Sequence, residues 1–230
     1  EAVSVLEGSR ILADGVGNAD GGRVIVWSDD ATRFLGGISA RGGDEGGDGG
    51  FVEVSGRRAL QLGGTIDLSA LKGEGGELLL DPANLVIVDS FGGGSGIELL
   101  ASTIEDTLDG GADVTIRTSD YSGSDAGNIT VNASLIWTAG TTLTLDADND
   151  IIFNAGISYG TGGGMALVAG GDIYLDASVS AGNTTVSAGG FHVLDGGEWY
   201  QVAASLPAFS VADFSIDGDT AIFIRATGGD

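Results

Sequence analysis

Three phrases recur in the first third of the chain: GGRVIVWSD from Gly21, GGFVEVSGR from Gly49 and GGELLLDPA from Gly75. A glycine pair followed by alternating apolar side chains predicts one corner and one half-buried strand, made three times over. Between them, FLGGISA (34–40) is answered by LQLGGTIDLSA (60–70), a second strand-and-corner unit. Such regular recurrence marks a repeat architecture, in which each unit buries its apolar face by stacking on the next.

Beyond residue 126 the units shorten. NITVNASLIW (128–137), TLTLDADNDIIF (142–153), MALVAGGDIYL (165–175) and TTVSAGGFHVL (184–194) each read as strand, short polar or glycine corner, strand. Leu135, Ile151, Ile173 and Phe191 are expected to align as equivalent positions of successive coils. Strands this short, without Asn-Gly hairpin turns, predict an all-β chain wound as a right-handed parallel β-helix (a β-solenoid). At about 4.8 Å per rung, nine or ten coils would make a rod about 45 Å long. A β-sandwich is the other all-β option, but it needs hairpins. The expected organisation is a single domain over 1–230, with longer coils of about 26–28 residues over 1–88. A coil with a helical excursion follows over 89–118, and shorter coils run over 119–230. The excursion is GIELLASTIEDTLDGG (96–111), where Ser102 is placed to cap a helix and Gly110 to end it. Pro82 marks a corner, because it cannot donate to a central ladder.

Forty-three glycines with two prolines exclude collagen, and the Val, Ile, Leu and Thr between the glycines exclude a flexible linker. Without cysteine the chain has neither disulfides nor thiolate metal sites. A formal charge of −24 repels nucleic acid and anionic membrane surfaces, so neither is an expected partner. The charge is uneven: positions 1–72 carry seven of the nine Lys and Arg side chains. No apolar run is long enough to insert into a bilayer, and positions 1–20 lack a signal peptide's basic start and apolar middle. An exported chain of this kind would carry its address upstream.

The repeats GGRVIVWSDDATRFLGGISARGG (21–43), GGFVEVSGRRALQLGGTIDLSA (49–70), GELLLDPANLVIV (76–88) and STIEDTLDGGADVTIRT (102–118) resemble the large exoproteins of the filamentous haemagglutinin family, exported by two-partner secretion in Gram-negative bacteria. GGEWYQVAASLPAFSVADFSI (196–216) and AIFIRATGG (221–229) are similar to segments of the same proteins, so nearly the whole chain is covered. The resemblance implies a right-handed β-helix within a secreted or cell-surface adhesin. An outer-membrane transporter would serve the parent protein, and host or bacterial cell surfaces and glycans would be the partners. The family's amino-terminal secretion motifs are not evident here, so the resemblance is to the repeat region after that domain.

Several motifs invite a chemical reading. GGDEGGDGGFVEVSG (42–56) has no Gly-Lys-Ser/Thr to hold a phosphate. A calcium nonapeptide started at Gly46 would put Phe51 at the ligand position, so the tract is expected to be a corner. Asp146, Asp148 and Asp150 of DADND are the candidate calcium ligands. Ile151 stands where an EF-hand needs glycine, so an Asx corner is the expected role and calcium binding the alternative. Asp29 with Asp30, and Asp217 with Asp219, are weaker versions. No catalytic residues are expected. A polysaccharide-active enzyme, the alternative in that class, would have to use Arg117, Arg225 or His192 among the acids. Arg117, between Asp113 and Asp120, is expected to form a surface ion pair, and His192 to sit on an outer face without triad partners. Trp27 and Trp137 are expected in the core or stacked on a sheet, and EWY (198–200) at a capped end, with a binding spot as its alternative. Trp199, Tyr159 and Tyr200 are further aromatic candidates for sugar stacking. Uncovered ends would favour end-to-end self-association into filaments.

Overall fold

A computed structural model describes residues 1–92, 97–118, 126–203, 208–218 and 221–226, and the chain is an all-β parallel solenoid with one helix among them. Every strand pairing among the described residues is parallel. The strands fall on three lateral faces, visited in a repeating order. Face A begins with Arg23–Ser28, Phe51–Gly56 and Glu77–Leu80, face B with Val3–Val5, Ala31–Phe34 and Ala59–Leu62, and face C with Arg10–Leu12, Gly37–Ser39 and Thr65–Asp67. Faces A and B belong to one 16-stranded sheet. The long strand Asn183–Val193 joins them, pairing with Gly164–Ala169 on face A and with Asp172–Leu175 on face B. Face C is split into a three-stranded and a five-stranded sheet.

The period-2 pattern decides which side chains point inward. On face B one row runs in register through Phe34, Leu62, Leu99, Ile87, Val131, Phe153, Leu175 and Val193, each fully buried. On face A, Leu80, Ile116, Leu145, Leu167 and Val186 make the equivalent row, and on face C, Leu135, Ile157, Val179 and Trp199. Burying each such side chain contributes about 1.5–3 kcal/mol, and the three rows meet in one core.

Coil length follows the sequence repeats in the first half. Arg23 pairs with Phe51 and Phe51 with Glu77, which sets the glycine pairs at 21, 49 and 75 on successive coils. The expected alignment of Leu135 with Ile151 is wrong. Ile151 pairs with Ile129, and the face B column then continues through Ile173 to Phe191. Leu135 belongs to face C and pairs with Ile157. Only positions 132–134 separate Ile129–Val131 from Leu135–Trp137, and the two short strands look alike in sequence.

The helical excursion is the helix Ala101–Asp109, and it takes the place of a face C strand. It packs between Thr65–Asp67 and Leu135–Trp137, the two strands at which face C is broken. Ile104 and Leu108 continue the inward row with no exposure. A helix has no free backbone groups along its side, so its side chains supply the missing hydrogen bonds. Glu105 Oε1 accepts from the Ile136 N–H at 2.7 Å, and Asp109 Oδ1 accepts from the N–H groups of Thr138 and Ala139 at 2.6 and 3.1 Å. Thr103 donates to the Gly64 carbonyl at 2.9 Å. Glu105 and Asp109 stand one helical turn apart and therefore share one side of the helix. The N-cap is Leu100 without a side-chain cap, rather than Ser102. The strand Glu98–Leu100 runs straight into the helix, so Ser102 falls within the first turn.

Face B also holds a reversal that the sequence did not signal. Glu98–Leu100 inserts between Ala59–Leu62 and the earlier strand Leu85–Val88, which gives face B one extra rung there.

The corners between faces C and A explain the glycine pairs. Gly50 donates to the Ala40 carbonyl at 2.7 Å, while its own carbonyl accepts from the Glu77 N–H of the next coil at 3.1 Å. A β-carbon on Gly49 would overlap the Leu68 carbonyl oxygen, and one on Gly21 the Ala40 carbonyl oxygen. The acids stitch the same corners together. Asp20 Oδ1 accepts from the Asp48 N–H and Asp48 Oδ1 from the Glu74 N–H, both at 2.9 Å.

Gly49→Ala should cost about 3 kcal/mol or prevent folding. Gly140→Ala, whose β-carbon would meet nothing closer than 3.6 Å, should leave the denaturation midpoint nearly unchanged. Asp109→Ala should lower stability by about 2 kcal/mol in urea melts, through loss of its charge-assisted hydrogen bonds. The N–H donors of Thr138 and then Ala139 hold the Asp109 carboxyl below its ordinary value. Its contribution is therefore present above about pH 4 and is lost as pH falls further. The wild-type minus Asp109→Ala difference in melting temperature should shrink over that acid range. A constant difference would refute the assignment.

Candidate functional site

The sequence candidates come to rest mainly on the outer sides of the three faces. Arg117 lies opposite Asp146 on the neighbouring rung, and its Nε donates to Asp146 Oδ2 at 2.9 Å. The expected surface ion pair is thus made with Asp146. Asp113 instead accepts from the Thr142 N–H at 2.8 Å, and Asp120 lies outside the described residues. Of the calcium candidates, Asp146 is therefore taken by a guanidinium. Asp150 Oδ1 accepts from the Asp172 N–H at 2.8 Å, while the Asp150 N–H donates to Asn128 Oδ1 at 3.1 Å. The Asp148 N–H donates to Thr118 Oγ1 at 3.1 Å. This is a polar corner propagated from coil to coil. Among the described residues no group of three or more His, Asp or Glu side chains is placed to hold a metal ion. Asp30 pairs loosely with Arg58 at 3.8 Å, and Asp219 lies outside the described residues, as does the Arg225 side chain.

His192 has more company than the sequence suggested. It lies in a row with Tyr174 and Ser215 on face B, contributed by three successive rungs. Its Nδ1 shares a 2.7 Å hydrogen bond with Ser215 Oγ, its Nε2 lies 3.5 Å from Asp172 Oδ2, and its ring stacks on Tyr174 at 5.1 Å. Serine, histidine and aspartate are the residue types of a nucleophilic triad. However, Asp172 Oδ2 is shared with the Tyr174 hydroxyl at 3.3 Å, and among the described residues Ser215 does not line the face A and face C cavities. The row ties three coils together laterally. DIYLD (172–176), GFHVL (190–194) and DFSID (213–217) read as three aligned strands only once the register is known, so the row had no signal in the sequence alone.

The aromatic residues divide by face. Trp137 and Trp199 are buried, but Trp27 is 43% exposed and lies outside the core, because it falls on the outward Arg23 and Ile25 side of its strand. EWY (198–200) is not a cap. Glu198–Ala203 pairs with strands on both sides, which puts Trp199 in the core and Tyr200 outside. Tyr200 stacks on Phe223 of the next rung, with centroids 4.9 Å apart and ring planes at 9°. Tyr159 is largely enclosed against Trp137, and burial raises its phenol pKa above the ordinary value.

Among the described residues, shallow cavities lie along the faces, and three of them bear on function. The first, about 760 Å³ on face A, follows the glycine corners between Arg23, Phe51 and Glu77; the Arg23 guanidinium sits 4.7 Å over the Phe51 ring. The second, about 820 Å³ at the start of face C, is floored by Gly36, Gly37, Gly63 and Gly64. Beside its floor, Arg41 binds Asp14 at 3.0 Å and holds that carboxyl down to about 2. The third, about 460 Å³ further along face C, runs from Ile136 across Ser158 and Ser180 to Tyr200, and was not foreseen. Each of these four residues lies a full coil from the next, so they converge only when the correct register is known. No convergent acid–base pair facing a closed cleft is present among the described residues. What these surfaces offer chemically is stacking, hydroxyl hydrogen bonding and negative charge. No helix among the described residues is long and apolar enough to cross a membrane.

No family model matches the chain, and no curated protein matches it.

Two of the DADND carboxylates already have partners, so millimolar calcium should leave the melting temperature unchanged. In Arg117→Ala, which frees Asp146, a small calcium-dependent rise is expected. A rise of several degrees in the wild type would show that the corner is a cation site.

Proposed function

We propose that this chain is an adhesive β-solenoid segment of a large exoprotein, similar to the repeat region of filamentous haemagglutinin-type adhesins secreted to the Gram-negative cell surface. The observation that carries this reading is the parallel stacking of coils, with three long outward faces bearing exposed aromatic, hydroxyl and acidic side chains. Such a stack holds a surface rigidly because each rung is fixed by the rungs on either side. The coils are taken to wind right-handed, the hand adopted by nearly all parallel crossovers. The sequence phrases between Gly21 and Thr118 support the family, while the fold itself is compatible with several functions.

Beads coated with the intact chain should adhere to host epithelial or bacterial cells above an albumin-coated control. Adhesion to neither cell type would refute the reading. Release of reducing sugar or unsaturated product from a polysaccharide panel would replace it with the enzymatic one. An experimental density map reads the hand of the coil directly, and a left-handed map would remove that part alone.

A further inference from the structure

We infer that the face C trough between Ile136 and Tyr200 is a binding site for a neutral glycan; the inference rests on the adhesive reading and assigns it a place and a ligand class. Four consecutive rungs build the trough: Leu135–Trp137, Ile157–Tyr159, Ser178–Ala181 and Glu198–Ala203. The outward residues in register are Ile136, Ser158, Ser180 and Tyr200. Two small residues lie between two large ones, so the floor is low and the ends are raised. Three rung spacings separate the ends, about 14 Å.

One end wall is an aromatic face. Phe223 stacks on Tyr200 from the next rung, so it backs the tyrosine on the side away from the trough. The opposite face of the Tyr200 ring is left toward Ser180. Tyr200 is 51% exposed and Ile136 61%, although both stand in a sheet where smaller polar residues would be more soluble. A ring held flat by a second ring is a preorganised stacking surface, with its ordering cost already met within the fold.

The floor supplies hydrogen bonds. The hydroxyls of Ser134, Ser158 and Ser180 have no protein partner among the described residues. Backbone groups are not on offer, because the strands that line the trough are paired on both sides or abut the helix. A peptide adding to a strand edge therefore finds nothing to pair with there. What remains is a flat apolar face beside free hydroxyls, which matches a pyranose ring with its apolar face and hydroxyl rim. Charge narrows the class. Among the described residues, Glu198 is the only charged one lining the trough, and its carboxylate accepts from Ser178 Oγ at 3.1 Å. In a chain of net charge −24 it repels sulfated and uronic-acid sugars and accepts hydrogen bonds from neutral ones.

The test uses the intact chain with neutral β-linked tetrasaccharides of glucose and of N-acetylglucosamine, and a sulfated oligosaccharide for comparison, by calorimetry and NMR titration. The expected result is weak binding of a neutral tetrasaccharide. It should fall at least tenfold in Tyr200→Ala and in Ser180→Tyr, which fills the trough from an exposed position, and stay unchanged in Trp27→Ala on face A. Melting temperatures of the variants confirm folding, and Ser180→Tyr remains informative if Tyr200→Ala is destabilised. Absence of binding, binding undiminished in Ser180→Tyr, or preference for the sulfated sugar would each overturn the assignment. The two readings fail separately. Cell adhesion by a chain that binds no neutral tetrasaccharide keeps the adhesive function and removes this site. Tetrasaccharide binding without cell adhesion keeps the site and removes the adhesive function.

Discussion

Everything in this molecule depends on one coil lying flat on the next. The parallel ladder fixes the strand spacing, and that spacing is too small for a side chain wherever two corners also stack. Glycine is therefore required where Gly21, Gly49 and Gly75 turn from face C to face A, since a β-carbon at any of them would occupy the place of a backbone carbonyl oxygen. With the corners in contact, the acids beside them become structural. Asp20, Asp48, Asp113 and Asp150 each accept a backbone N–H from the following coil. A chain of net charge −24 thus places part of that charge where it closes hydrogen bonds that corners would otherwise leave to water.

The strands and glycine corners were legible because each depends on a local pattern: alternation within one strand, or a pair of glycines. Val24 and Val26, or Leu143 and Leu145, show their inward side over a few positions. The helix was legible for the same reason, although its start was not, because Leu100 passes from strand to helix without a capping side chain. Register between coils was the harder quantity. The coil shortens from the Arg23–Phe51 step to Ile129–Ile151 and again to Ile173–Phe191, so an error of one short strand moved Leu135 to the wrong face.

The lateral sites inherit that difficulty. Tyr200 and Phe223 lie on successive rungs, as do His192 and Ser215, and Asp172 precedes His192 by one rung. None of these pairs carries a sequence signature of its own. Each arises because outward positions on successive rungs are set side by side, so any two residues in the same column become neighbours. The DADND tract shows the converse. Its spacing left a cation loop as the alternative to a corner, and the strand Thr142–Ala147 runs through Asp146 and spreads the carboxylates between a strand and a corner.

The helix that stands in for a strand has a further effect on how the molecule shares load. On faces A and B, backbone hydrogen bonds pass from rung to rung across the level at which the helix lies. On face C they do not. Across that gap the connection is carried by Glu105, Asp109, Thr103 and the packed side chains of Ile104 and Leu108. Side chains have torsions that a ladder lacks, so this side of the cross-section is more compliant than the other two. A pull along the stack would not stretch the three faces equally; it would bend the molecule away from face C, hinging on the two continuous faces. The segment Ala101–Asp109 thereby gives an otherwise uniform column a preferred direction of flexure.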